Sequence, residues 1–243
     1  MNKNFFVGLI IVLVLIFGAL AFVSSSFFDV TAVTVSGEAK LGESEILRAA
    51  GLDKPVNIFA FNSSKAKAEI LKDVYVDSVQ INRNFVNRTV DVKIKERILS
   101  GYVEYQTGTY LYVDDTGRVL EAQSSFAQKL PVITGLKFTS YKVGERLVTD
   151  NPDAFGIMVT LAQLINKYQM AQDVVKVDVS DTSDIHLQMG GIDVSFGGID
   201  SADQKMNKLQ ATIAALQEQF GADVKGLLDA SNADKPSGFK LLS

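Results

Sequence analysis

His186 is the only histidine in the chain, and there is no cysteine. A Ser-His-Asp relay would have to pass through that one ring. His186 alternates with Ile185 and Leu187 and shares a strand face with Asp184 and Gln188, the pattern of the wet side of a half-buried strand. One imidazole cannot supply the nitrogen and sulfur ligands that zinc takes. Asp178, Asp181 and Asp184 are evenly spaced but lack the EF-hand pattern and its glycine, so they read as a strand end and a loop. Asp115-Thr116-Gly117 matches the short motif of aspartic proteases, where two carboxylates share one proton. A second copy is missing, and the tripeptide is ordinary turn chemistry. Gly190-Gly191-Ile192-Asp193 recurs as Gly197-Gly198-Ile199-Asp200, and both read as turns rather than as a dinucleotide fingerprint. The expectation is a chain with no catalytic residues, no cofactor and no metal site.

The remaining chemistry points to binding. The formal net charge is −4 and the basic residues are scattered, so no nucleic-acid partner is expected, because such a partner needs clustered cations to displace phosphate counterions. Arg83, Arg88, Lys93, Lys95 and Arg97 make one hairpin locally basic. A solvated strand face explains them, and an acidic partner or anionic lipid headgroups is the sharper reading. Asn62-Ser63-Ser64 and Asn87-Arg88-Thr89 are sequons, relevant only in a eukaryotic secretory pathway.

Phe5 to Val23 runs without a charged side chain. As a helix rising about 1.5 Å per residue it is roughly 28 Å long, the thickness of a hydrocarbon core. A retained anchor is preferred to a cleaved signal peptide, although Ala19-Leu20-Ala21 offers a small-x-small site, because apolar residues continue through Phe22 and Val23. Lys3 precedes the span, and Asp29 and Glu38 are the first charges after it. The positive-inside rule then leaves residues 1–4 as a short cytoplasmic tail and the rest of the chain outside.

The elements that follow read β-α-α-β-β. Asp29 to Ser36 alternates as a strand, Ser44 to Ala50 is a helix stopped by Gly51, and Asn62 or Ser63 caps a second helix through Lys72 with Ala66, Ile70 and Leu71 inward. Val74 to Asn82 and Thr89 to Glu96 form a strand pair around Asn84-Phe85-Val86-Asn87, with Val90, Val92 and Ile94 on one face.

A second region follows from Leu99. Tyr102 to Tyr105, Tyr110 to Val113 and Arg118 to Ala122 read as strands around Gln106-Thr107-Gly108 and Asp115-Thr116-Gly117, and Leu130 to Gly135 as a short extended piece. Asn151-Pro152-Asp153 starts a helix whose stripe is Ile157, Leu161, Leu164, Ile165 and Tyr168. Val174 to Val179, Ile185 to Met189 and Ile192 to Phe196 are strands, the last two joined by Gly190-Gly191. Ser201 to Gln204 has capping-box spacing before a helix that places Met206, Leu209, Ile213, Leu216 and Phe220 on one face and stops at Gly221. Val224 to Leu228 is read as the final strand, ahead of a polar tail. Hairpins interleaved with helices give two α+β domains with largely antiparallel sheets, at 27–98 and 99–230, with 231–243 as the tail.

The ordered set of segments resembles a known family. The span leads into Phe27-Phe28-Asp29-Val30 and Val33-Thr34-Val35-Ser36-Gly37, then a Glu-Ile-Leu helix, Asn57-Ile58-Phe59, and Val92-Lys93-Ile94-Lys95-Glu96-Arg97. Tyr112 to Val119, Leu130 to Gly135, Lys205, Lys208 and Leu228-Asp229 continue it. Together these resemble the FtsQ/DivIB family of bacterial cell-division proteins, whose first ectodomain is a POTRA domain. Val86 stands where the family usually has proline, as do Ile98 and Leu99 after the Glu-Arg pair.

The resemblance implies an α+β protein with a single N-terminal transmembrane helix, a POTRA-like domain and a second, mainly antiparallel domain. It implies a non-enzymatic scaffold of the divisome in the cell membrane at the septum. The implied partners are the single-pass proteins FtsB/DivIC and FtsL and, through them, the septal peptidoglycan synthases. Because Val224 to Leu228 comes last, it is expected at a sheet edge where a partner strand could add, with Lys225, Gly226, Leu227, Leu228 and Asp229 in the contact. The competing readings are a chaperone-like POTRA module of protein export and, with least support, an envelope hydrolase.

Overall fold

The computed structural model describes residues 3–37, 41–106, 108–126 and 129–242. The central residue of the expected Gln106-Thr107-Gly108 turn, and Met1 and Asn2 of the expected cytoplasmic tail, lie outside them. The chain forms two compact units, Met1–Arg97 and Ile98–Ser243.

The first unit opens with α1 (Lys3–Val23), whose apolar stretch Phe5–Val23 is long enough to cross a membrane and is nowhere buried by protein. A single 3-10 turn, Ser26–Phe28, follows. Then come β1 (Ala32–Ser36), α2 (Glu43–Ala50), α3 (Ser63–Ile70), β2 (Val76–Asn84) and β3 (Thr89–Glu96). The sheet order is β1-β3-β2, with β1 parallel and β2 antiparallel to β3. Local chemistry sets the helix ends. Gly51 closes α2 at φ 69°, a left-handed conformation that costs glycine little, and the Asn62 side chain accepts the Lys65 amide to cap α3. Val90, Val92 and Ile94 face the helices and pack with Ile46, Ile58, Ala66 and Ile70 in one core. Leu71, expected inward, is 38% exposed, because α3 ends at Ile70 and the chain turns away.

The second unit contains β4 (Leu99–Gln106), β5 (Thr109–Asp114), β6 (Val119–Gln123), β7 (Val132–Thr134), α4 (Pro152–Lys167), β8 (Val174–Asp178), β9 (Ile185–Met189), β10 (Gly191–Gly197), α5 (Ala202–Phe220), β11 (Lys225–Asp229) and β12 (Gly238–Leu241). All of its described strands join one sheet in the order β12-β11-β10-β9-β8-β7-β4-β5-β6. Hairpin neighbours are antiparallel, while β7–β8 and β10–β11 are parallel because α4 and α5 carry the chain back across the sheet. Leu161 and Ile165 of α4 and Met206, Leu209 and Ile213 of α5 bury one face of the sheet against Leu187, Val194 and Phe196.

Two local expectations change in this unit. Ser201 makes no capping bond and sits in the left-handed region at φ 50°, so the capping-box spacing is present without its hydrogen bonds. The segment read as a polar tail carries β12, which pairs antiparallel with β11.

Candidate partner-binding edge

The carboxyl-terminal end of the large sheet is built by side chains that hold a short strand in place. α5 returns the chain so that β11 runs parallel to β10, with Leu228 opposite Val194. Alternation along β11 then splits its residues. Leu228 is buried under α5, while Lys225, Leu227 and Asp229 face the open side, with Leu227 43% exposed. At the end of β11, Asp229 Oδ1 accepts from the Ser231 amide at 3.0 Å and its hydroxyl at 2.6 Å. These bonds hold the carboxyl below the ordinary carboxylate range and turn the chain. Asn232 Oδ1 takes the Asp234 amide at 2.9 Å. Lys208 reaches over from α5 to the carbonyls of Asn232, Ala233 and Lys235.

The folded-back β12 places Lys240 opposite Leu227 and Phe239 opposite Leu228. Phe239 lies on the helix side, 5.9 Å from Phe220. It fits because residue 226 has no side chain: a Cβ there would lie 2.3 Å from Phe239 Cε2 and 2.7 Å from the Lys240 carbonyl oxygen. The expected site is therefore corrected in one respect. β11 is paired on both sides, and the strand at this end of the sheet is β12. A tail read by polarity alone hid it. The sequence signal was Gly238-Phe239-Lys240-Leu241, a short apolar alternation after a Pro-Ser-Gly turn.

The Leu242 amide donates to the Lys225 carbonyl at 3.0 Å. Antiparallel pairing alternates which residues bond inward. Lys240 therefore faces β11 with its backbone groups, while Phe239 and Leu241 turn theirs outward. Leu241 and Leu242 are 53% and 45% exposed, so an open backbone edge is flanked by apolar side chains.

Beside this edge, on the open face, His186, Asp193, Ser195, Leu227 and Lys240 line a shallow concavity. His186 Nδ1 is 2.9 Å from Asp193 Oδ1 and Nε2 is 3.5 Å from Asp184 Oδ2. The bond to Asp193 raises the imidazole pKa, and partial burial opposes it. The ring lies on the wet face, as its strand alternation predicts.

The other motifs resolve into turns. Asp114 Oδ1 accepts from the Thr116 amide and hydroxyl and from the Arg118 amide at 2.7–2.9 Å, so Asp114 organises the Asp115-Thr116-Gly117 loop. Asp178 and Asp181 each accept the amide and hydroxyl of the serine two residues on. Gly190 at φ 57° makes the β9–β10 turn. Lys205, almost fully buried, donates to the carbonyls of Phe196 and Gly198 and pairs with Asp200 at 3.5 Å, tying α5 to the end of β10. Among the described residues no group of three or more His, Cys, Asp or Glu side chains could hold a metal ion.

Comparison with known proteins agrees with this architecture. A family profile described as "POTRA domain, FtsQ-type" matches residues 28–97, and one described as "Cell division protein FtsQ/DivIB, C-terminal" matches residues 101–230. The chain is 28% identical to a cell division protein DivIB of Clostridium tetani over 88% of this chain and 80% of that one. It is 25% identical to a DivIB of Clostridium acetobutylicum over 86% and 82% of the two chains. A cell division protein FtsQ of Bartonella bacilliformis is 29% identical over 46% of this chain and 36% of its own. The C-terminal profile alone spans more than half of the sequence, and on that ground the chain belongs to the FtsQ/DivIB family of cell-division proteins.

Proposed function

We propose that the chain is a non-catalytic, membrane-anchored scaffold of the bacterial cell-division complex. α1 holds it in the cell membrane with the N-terminus cytoplasmic and both folded units outside, at the septum. Its partners are FtsB/DivIC-like and FtsL-like single-pass proteins, which link it to septal peptidoglycan synthesis. The observation that carries this reading is the open, apolar-flanked edge of β12. A partner segment adds there as a further strand, because unsatisfied amides and carbonyls at a sheet edge template pairing. Lys225, Gly226, Leu227, Leu228 and Asp229 support the contact from beneath. Leu227 offers apolar surface on the open face, and Gly226 and Leu228 hold β12 in register.

Leu241→Pro tests the reading directly. It removes an outward N–H that β11 does not use, and proline is tolerated on an edge strand. The full chain in detergent should lose affinity for the FtsB/DivIC-like protein of the same cell at least tenfold, with its melting temperature unchanged. Undiminished affinity would exclude strand addition at β12. Recovery of many unfolded chains in place of a small fixed complex would instead favour an export module.

A further inference from the structure

Five phenylalanines form a continuous chain of ring contacts from the last turn of α1 to the β2–β3 hairpin. Phe22 meets Phe28 at 5.2 Å, Phe28 meets Phe59 at 5.2 Å, and Phe59 stacks on Phe85 at 5.4 Å. Phe27 contacts both Phe22 and Phe28. Buried clusters of this kind belong to cores, but this one is open. Phe27 is 61% exposed, Phe59 48%, Phe85 45% and Val86 91%. A contiguous exposed apolar patch marks a binding surface, and its occupant follows from where the patch sits.

Hydrogen bonds fix that position. The Asn57 side-chain amide donates to the carbonyls of Val23 and Ser25 at 2.8 and 3.1 Å. The Ile58 amide donates to the Phe28 carbonyl at 2.8 Å, and Arg88 donates to the Phe27 carbonyl. The folded part of this unit is thus latched to the end of the helix rather than hung on a linker. Topology then decides which end of the small sheet faces the membrane. β1 is parallel to β3, and Ala32, where β1 begins, is level with Thr89, where β3 begins. The hairpin tip just before Thr89 is therefore at the end where the chain leaves the span.

Charge completes the surface. The Arg83 guanidinium lies 5.1 Å from the Phe85 ring centroid and that of Arg88 5.3 Å from the Phe27 centroid. Aromatic bodies with cations beside them are the composition that settles at a membrane interface, the rings in the acyl boundary and the guanidiniums among phosphates.

We infer that Phe59, Phe85 and Val86, with Arg83 and Arg88, form a second membrane contact that seats the POTRA domain in the lipid interface beside its own anchor. The inference rests on α1 being a membrane span. Its occupant is the headgroup and upper acyl region of the bilayer. The domain is thereby held against the membrane surface.

The chain has no tryptophan, so single introduced tryptophans report without background. The full-length protein carrying Phe85→Trp or Phe59→Trp is reconstituted in phosphatidylcholine–phosphatidylglycerol vesicles, with Phe17→Trp in α1 and Val148→Trp in the second unit as references. The inference expects blue-shifted emission from Phe85→Trp and Phe59→Trp, quenched more by lipids brominated high on the acyl chain than by deep bromines. Val148→Trp should remain red and unquenched. If Phe17→Trp is quenched while both hairpin-side reporters behave like Val148→Trp, the docking inference is overturned and the anchor stands. If Phe17→Trp is also unquenched, the anchor itself is wrong. Blue-shifted emission without bromine quenching would place these rings against protein and overturn the lipid assignment.

Discussion

Gly226→Ala separates β12 from the rest of the molecule. The added methyl would sit 2.3 and 2.5 Å from two Phe239 ring carbons and 2.7 Å from the Lys240 carbonyl oxygen. The ring can swing aside, but the carbonyl is backbone, so β12 itself must shift. Overpacking of this kind costs about 1–3 kcal/mol. The cost falls on a four-residue edge strand, the kind of element that opens locally rather than globally. At about 2 kcal/mol the ratio of docked to undocked β12 falls roughly 30-fold. Hydrogen exchange read by amide resolves the effect. Leu227 bonds toward Lys240 and should lose protection by that factor. Leu228 bonds toward β10 and should keep it, with the global melting temperature nearly unchanged. Phe239→Leu in the same chain frees space and should restore part of the lost protection, a coupling that a double-mutant cycle measures. Equal protection of the Leu227 amide in wild type and Gly226→Ala would refute the argument that the missing Cβ admits β12.

Two further outcomes follow from the same geometry. Leu228, 1% exposed, should cost about 2–5 kcal/mol as Leu228→Ala, whereas Leu227→Ala should stay within about 0.5 kcal/mol in a denaturant melt while weakening partner binding. A large stability loss at Leu227 would contradict the assignment of that face as open. His186 has its folded pKa raised above the ordinary 6.5, chiefly by the hydrogen bond to Asp193. Its contribution to stability is therefore complete below about 6.5 and is lost as pH rises through the higher folded value. Comparing melting temperatures at pH 6 and 8, His186→Gln should lose more stability relative to wild type at the lower pH. A constant difference between the two proteins at both pH values would count against the pairing.

Much of the fold was legible because its causes are local. The alternation of Val90, Val92 and Ile94, the caps at Asn62 and Asn151, and the left-handed stop at Gly51 each depend on residues a few positions away, and each stands as read. The apolar run from Phe5 to Val23 needed only composition. Turn chemistry was equally local: Asp114 organises the Asp115-Thr116-Gly117 loop, and Asp178 and Asp181 each hydrogen-bond the serine two residues on.

What the sequence by itself determined, then, was the period of each element, most of its ends and the family of the whole. What only tertiary structure decided was adjacency. Ser201 has the right spacing for a capping box, but the chain enters α5 through a left-handed residue, so spacing without the right backbone angle makes no cap. β11 looked like an edge because it was the last strong strand. It is interior because Lys208 and Asp229 fold the following loop back and Gly226 leaves room for Phe239, contacts between residues distant in sequence. The aromatic chain from Phe22 to Phe85 likewise exists only once parallel pairing brings the hairpin tip to the end where the span emerges. A strand's periodicity says which side chains share a face, but its hydrogen-bonding edges carry no side-chain code. Which neighbour occupies each edge is therefore settled by long-range packing.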